Sequence, residues 1–173
     1  RKSLLQAKAD GADVRMVYSP SHALALARSN PEREVVFFGL GFETTMPSTA
    51  LTVLEAERDR IANFSVFCNH VTIVPTIKAI LDSPREGIDA FLAPGHVSMV
   101  IGTAPYEFIA KHYGRPLVVA GFEPLDILQS IWMVLKQIEQ GRAEVENQYA
   151  RVVPRAGNAT ALRAITKVYE VRP

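Results

Sequence analysis

The sequence predicts an α/β protein in which parallel sheets are flanked by helices. Three observations lead there. Short apolar runs alternate with segments of helical period. The run at 34–40 is continuously apolar after its first residue, which suits a strand buried on both faces. The connections are short, as in βαβ units with right-handed crossovers.

The elements follow in order. Residues 2–9 read as the last turns of a helix, and 12–18 (ADVRMVY) as a β-rich strand. Ser19 and Pro20 then open a helix to about residue 29. Ser19 is the N-cap, and Pro20 takes the first position, where a missing N–H costs nothing. Residues 34–40 (EVVFFGL) form a buried strand, followed by the loop Gly41-Phe42-Glu43-Thr44-Thr45 and a helix from Pro47 to about residue 61. Residues 64–69 make the next strand and 74–81 the next helix. A strand at 88–93 ends in Pro94-Gly95-His96-Val97-Ser98, and a helix covers about 105–113. The strand 116–120 ends in Gly121-Phe122-Glu123-Pro124. A long helix then runs to Gln140, with Leu125, Leu128, Ile131, Leu135 and Ile138 at helical spacing and Gly141 as its stop. The tail predicts a short strand near 151–153 and a helix near 159–168.

The apolar strand and Gly-Phe-Glu around position 40 are echoed around position 120, each before a Pro-containing helix start. Two similar lobes facing one cleft would produce that echo, and so would chance. The expected boundary lies near Ala62-Asn63. The lobes are then 1–63 and 64–150, with 151–173 as a returning segment. The chain opens inside a helical pattern without Met and stops at Val171-Arg172-Pro173 in an extended pattern, which reads as a piece of a longer chain.

Composition narrows the function. The 173 residues are 48% hydrophobic and 21% charged, the balance of a globular protein with a sizeable core. A net charge of +1 gives no field for nucleic acid or an anionic membrane. A single cysteine, Cys68, excludes a disulfide framework and a Cys-only metal site within this span. No apolar run approaches the roughly 20 residues of a membrane span, and no signal peptide is visible. The cytosol is the expected compartment.

In open parallel sheets, ligands bind beyond the carboxyl ends of the strands. Four strand ends here carry unusual loops: Gly41 to Thr45, Cys68-Asn69-His70, Pro94 to Ser98, and Gly121 to Pro124. The opposite ends carry plainer turns, such as Ser29-Asn30-Pro31, Pro84-Arg85-Glu86-Gly87 and His112 to Pro116. Glu43 and Glu123 precede helices, where a carboxylate serves either as a cap or in chemistry. Thr44 and Thr45 face the same choice. His96 and His70 either hydrogen-bond their own loops or move protons near neutral pH. His22 and His112 read as surface helix residues. Cys68 is either an inert buried thiol or a nucleophile or ligand. Phosphate-loop, nucleophile-elbow and zinc-protease signatures are absent.

Taken together, GFETT (41–45), NH (69–70), PGHVS (94–98), GFEPLDIL (121–128) and EN-x-Y-x-R-x-V (146–153) with Gly157-Asn158 resemble the HypD family of hydrogenase maturation proteins. GADVR-x-VYSP (11–20) fits as well. The resemblance implies two similar Rossmann-like lobes around a common cleft. It implies a cytosolic scaffold for the Fe(CN)2CO unit of [NiFe]-hydrogenases, working with the chaperone HypC and with HypE as cyanide source, and serving the hydrogenase large subunit indirectly. It implies a [4Fe-4S] cluster beyond residues 151–173. The family's iron-binding CGGHT and CPVC motifs and its cluster cysteines are not in this span, so no metal ligand is expected here and none is assigned to Cys68. Glu43, Thr44, Thr45, His96 and Glu123 would line the cleft as hydrogen-bond donors or a proton relay. Gly41, Gly95, Ser98 and Gly121 would contact the bound group. Two other readings compete: a small-molecule transferase or lyase using His96 with Glu43 or Glu123 as acid and base, and an interaction module that binds only a partner.

Overall fold

The computed structural model describes residues 2–84 and 87–170. Arg85 and Glu86 of the expected turn, and the extended end at 171–173, lie outside the described residues. The elements are α1 (Leu4–Ala9), α2 (Pro20–Ser29), β1 (Val35–Gly41), α3 (Met46–Arg58), β2 (Phe64–His70), α4 (Ile73–Leu81), β3 (Phe91–Pro94), α5 (Gly95–Ile101), α6 (Glu107–Tyr113), β4 (Leu117–Ala120), α7 (Pro124–Glu139), β5 (Val145–Asn147) and α8 (Ala159–Val168). A single 3₁₀ turn, Ala104–Tyr106, precedes α6. None of the described helices is long and apolar enough to cross a membrane.

The α/β class holds, with two parallel sheets flanked by helices. In the first, β1 pairs with β2 from Val35 opposite Phe64 to Gly41 opposite His70. In the second, the order is β3-β4-β5, all parallel. The central strand β4 is apolar at every position because it is covered on both faces; Leu117, Val118 and Val119 are inaccessible to solvent. Around it gather Ile77, Leu81, Ala93, Tyr106, Ile109 and Val153.

The expected boundary at Ala62-Asn63 moves later. Strand β2 belongs to the first sheet, and α4 sends Ile77 and Leu81 into the core of the second. The chain therefore changes lobe between β2 and α4. It crosses back after β5, and α8 packs on α3. There Tyr169 meets His70 edge to face, with ring centroids 5.4 Å apart.

Three further expectations are corrected. Residues 12–17 form no strand. A strand needs a ladder partner for its N–H and C=O groups, and β propensity alone does not provide one. Asp13 is instead tied to Arg15 and Arg33, while Met16 and Tyr18 are exposed. The tail strand lies at β5 rather than 151–153. Residues 149–153 turn back on themselves, with the Val152 and Val153 N–H groups donating to Tyr149 O. Finally, the PGHVS segment is helical from Gly95 onward rather than an open loop.

Helix α7 turns its apolar stripe outward. Leu125, Leu128, Trp132 and Leu135 are exposed, whereas Asp126, Ser130, Val134 and Gln137 are buried on the side that packs against β4. The inward polar groups find partners: Ser130 Oγ donates to Asp126 O at 2.7 Å, and Gln137 Oε1 accepts from Glu144 N–H at 2.8 Å.

The return crossing is fastened at the end of α5. The Thr103 and Ala104 N–H groups donate to Arg155 O, and Asn158 N–H donates to Val100 O. Gly102 makes this approach possible at φ 81° and ψ −171°. A β-carbon there would stand 2.2 Å from Arg155 O. Gly102→Ala should therefore lower stability by about 3 kcal/mol, from a glycine-only backbone and a clash against main chain. Gly114→Ala, left-handed but with open space around it, should cost about 1 kcal/mol. Urea unfolding of the full chain checks both, and equal costs would contradict the packing described.

Candidate functional site

Strands β3 and β4 lie side by side, with Pro94 opposite Ala120, so the segments that follow them emerge together. At this edge the imidazole of His96 stacks on Phe122, with ring centroids 4.0 Å apart and planes inclined by 31°. Phe122 in turn meets Tyr149 edge to face at 6.3 Å. His96, Phe122 and Glu123 are exposed. Glu123 occupies the N-cap position of α7 without making a side-chain cap bond.

The two glycines that open these segments both lie against Tyr149 and one further neighbour each. A β-carbon on Gly95 would lie 2.6 Å from Ala120 O and 2.8 Å from Tyr149 Cδ1. One on Gly121 would lie 2.1 Å from Asp126 Oδ2 and 2.8 Å from Tyr149 Cδ2. The Arg151 guanidinium lies over the other part of this assembly, 4.5 Å from the Tyr149 ring centroid. Arg151 also makes a two-point ion pair with Asp126, whose Oδ1 it reaches at 3.0 Å. Gln148 Nε2 donates to Asp126 Oδ1 at 2.8 Å, and Gln148 Oε1 accepts from Gly121 N–H at 3.2 Å. The hydrogen bonds from Arg151, then Gln148, hold the Asp126 carboxyl down to about 2.

The residues of the first lobe behave differently. Glu43 is 5% exposed, and its Oε1 accepts the Ile73 N–H at 2.8 Å. It is thus a helix cap, though of α4 in the second core rather than of its own α3. Its Oε2 is buried and has no partner among the described residues. Thr44 is exposed. Thr45 is exposed too, and its hydroxyl donates to Phe42 O at 3.1 Å. A β-carbon on Gly41, at φ 149°, would strike Thr45 Oγ1. Ser98 is fully buried; its hydroxyl donates to Pro94 O at 2.8 Å and is 3.1 Å from Tyr106 Oη. Burial pushes the Tyr106 hydroxyl up, and the charge of Glu43 adds to that.

The structure therefore brings Gly95, His96, Gly121 and Glu123 together at one edge. It turns Glu43 and Ser98 inward and leaves Thr44 and Thr45 on the surface at the end of β1. An open cavity of about 530 Å³ lies elsewhere, between residues 13–17 and β1, and touches none of the expected site residues. Cys68 is exposed rather than buried, with Sγ 3.6 Å from His70 Nδ1. Burial lowers the pKa of His70. Among the described residues no three His, Cys, Asp or Glu side chains are placed to hold a metal. The structure also adds Asp126, Gln148, Tyr149 and Arg151, whose only sequence signal was their place in the GFEPLDIL and EN-x-Y-x-R-x-V segments.

Comparison with known proteins agrees with those segments. The family profile described as HypD, hydrogenase formation hypA family, matches residues 1–173. This chain belongs to the HypD family. It is 68% identical over 171 residues to the hydrogenase maturation factor HypD of Rhodobacter capsulatus, covering 99% of the chain and 45% of that protein. It is 62% identical over 167 residues to HypD of Escherichia coli strain K12, covering 96% of the chain and 45% of that protein. A hydrogenase expression/formation protein, HupD of Azotobacter chroococcum, is 54% identical over 99% of the chain and 47% of its own length. The chain thus spans a little under half the length of these HypD-family relatives.

Two predictions follow from the geometry. Glu43→Ala should destabilise the fold by about 1–2 kcal/mol through the lost α4 cap, while Glu43→Gln, which keeps an acceptor oxygen, should cost clearly less. Chemical denaturation of both variants checks this. The depressed pKa of Asp126 makes its ion pair stabilising above the ordinary value of 3.8, a contribution lost as pH falls through about 2. Asp126→Asn should therefore unfold more readily than wild type at neutral pH, with the difference shrinking across that acid window. Unfolding curves measured from neutral to strongly acid pH read the difference directly.

Proposed function

We propose that this chain forms the paired lobes of a scaffold on which the Fe(CN)2CO unit of [NiFe]-hydrogenases is assembled, acting with HypC and HypE in the cytosol. The observation that carries this reading is the exposed His96–Phe122 stack at the joined carboxyl ends of β3 and β4, in a chain matched along its whole length by the HypD family. Imidazole at a strand-end site can donate a hydrogen bond to an anionic ligand or pass a proton near neutrality. Glu123, exposed at the same edge and next in sequence to Phe122, supplies a carboxylate for the same traffic.

The iron unit is cargo in this reading, held by groups outside these residues. One cysteine, and no ligand cluster among the described residues, do not fit a [4Fe-4S] centre, and the ligands of such a cluster are assigned in this reading to the rest of the longer relatives. What this chain contributes is the wall beside the metal. His96 and Glu123 present polar groups at its rim, and Phe122 holds the imidazole in place. Glu43 supports the wall from within by capping α4 rather than by meeting the cargo. That burial also weakens the acid–base enzyme reading that pairs His96 with Glu43.

The test is His96→Gln in the full-length protein. Hydrogenase activity of the host should fall by about a hundredfold or more, the order expected for a lost proton-transfer group. The CN and CO infrared bands of the isolated scaffold complex should weaken or shift, while circular dichroism stays unchanged. Normal maturation with unaltered bands in both His96→Gln and Glu123→Gln would remove the reading.

A further inference from the structure

We infer that Tyr149 is a positioning residue, a wedge that sets the spacing of the His96 and Phe122 segments and so holds the imidazole in its stacked orientation. Its ring is the side chain against which both Gly95 and Gly121 would clash if either carried a β-carbon. Those glycines open the two adjacent segments that follow β3 and β4. The ring thus fills the gap between segments that the sheet alone brings only to neighbouring strands. It also touches the working end of the site, since Phe122 packs edge-on against it and His96 lies on Phe122.

The wedge is itself fixed from three sides. Arg151 stacks over the ring while its guanidinium is engaged by the buried carboxylate of Asp126. The backbone N–H groups of Gln148 and Tyr149 both donate to Val119 O, in the central strand. The Gln148 side chain joins Asp126 to the Gly121 N–H. A planar, two-point partner is needed for both the stack and the ion pair, which arginine supplies and lysine does not. Rotation of Tyr149 out of this slot would free Phe122 and leave His96 without its stacking face. The atoms that meet Gly95 and Gly121 are ring carbons, so the ring rather than the hydroxyl does this.

The role in maturation rests on the function proposed above, but the geometry has its own readout. In the full-length protein labelled at histidine, the His96 ring protons should resonate upfield of histidines that stack on no ring, because they sit over the Phe122 face. His96→Gln identifies the signals. Tyr149→Phe should keep the upfield shift and keep hydrogenase maturation. Tyr149→Ala should lose both, and Arg151→Lys should weaken both. Should Tyr149→Ala keep the His96 shift, or Tyr149→Phe lose it, the wedge is wrong. Should the shifts behave as expected while maturation is normal in Tyr149→Ala, the positioning role in maturation is overturned and the geometry stands. Should maturation be normal with unaltered CN and CO bands in both His96→Gln and Glu123→Gln, it is the function that fails.

Discussion

A buried carboxylate at the end of one sheet, capping the first helix of the other, is the constraint on which the arrangement of the lobes depends. Glu43 follows β1, yet its partner is the N–H of Ile73 at the start of α4. A charged group so deeply covered is costly unless bonded, and a helix N-terminus is one of the few places in a fold where unpaired donors stand ready. The bond therefore fixes where the second core begins relative to the first sheet. Tyr106 extends the contact, since its hydroxyl meets Ser98 in α5 and feels the Glu43 charge. The return of α8 onto α3 closes the arrangement from the other end.

Within the second lobe the organising force is different. The central strand is apolar, but the helix that follows it sends polar groups inward and apolar ones outward. Asp126 is the reason for part of that inversion. Its carboxylate serves Arg151 and Gln148, and through them the Gly121 segment and the Tyr149 ring. Burying the carboxylate of such a pair, with its arginine half exposed, does not by itself favour a fold over an apolar alternative. What it gives here is direction: the ring, the two glycines and the His96–Phe122 stack occupy one orientation. The outward stripe of α7, with Leu125, Leu128, Trp132 and Leu135, is then apolar surface that this lobe does not use for its own core.

Much of this could be read from the residues, and the rest has identifiable physical reasons for escaping. Continuous apolar runs gave β1 and β4, but only β4 is buried on both faces; β1 leaves Val36, Phe38 and Leu40 exposed, against the fully buried strand expected there. Ser19 with Pro20, and Gly141 after α7, marked helix ends through capping and the left-handed turn. Residues 12–18 looked like a strand because pattern reports the side chains and not whether a neighbouring strand exists. The lobe boundary was missed because β2 and α4 are adjacent in sequence but loyal to different cores. The strand-end loops were found, but their division of labour was not. Glu43 and Glu123 hold equivalent places after similar strands, yet one is buried under α4 and the other faces solvent. Tyr149 and Arg151 were visible only as letters in a motif. Their importance comes from meeting Gly95, Gly121 and Asp126 across a distance that sequence does not measure.

The bond between Glu43 and Ile73 joins the two lobes most directly, and amide hydrogen exchange at Ile73 in the full-length protein measures it. Exchange should be slow in wild type and in Glu43→Gln. In Glu43→Ala it should accelerate strongly while the amides of β4 keep their protection. If Ile73 exchanges at the same rate with and without the carboxylate, the two lobes are not joined in the way described here.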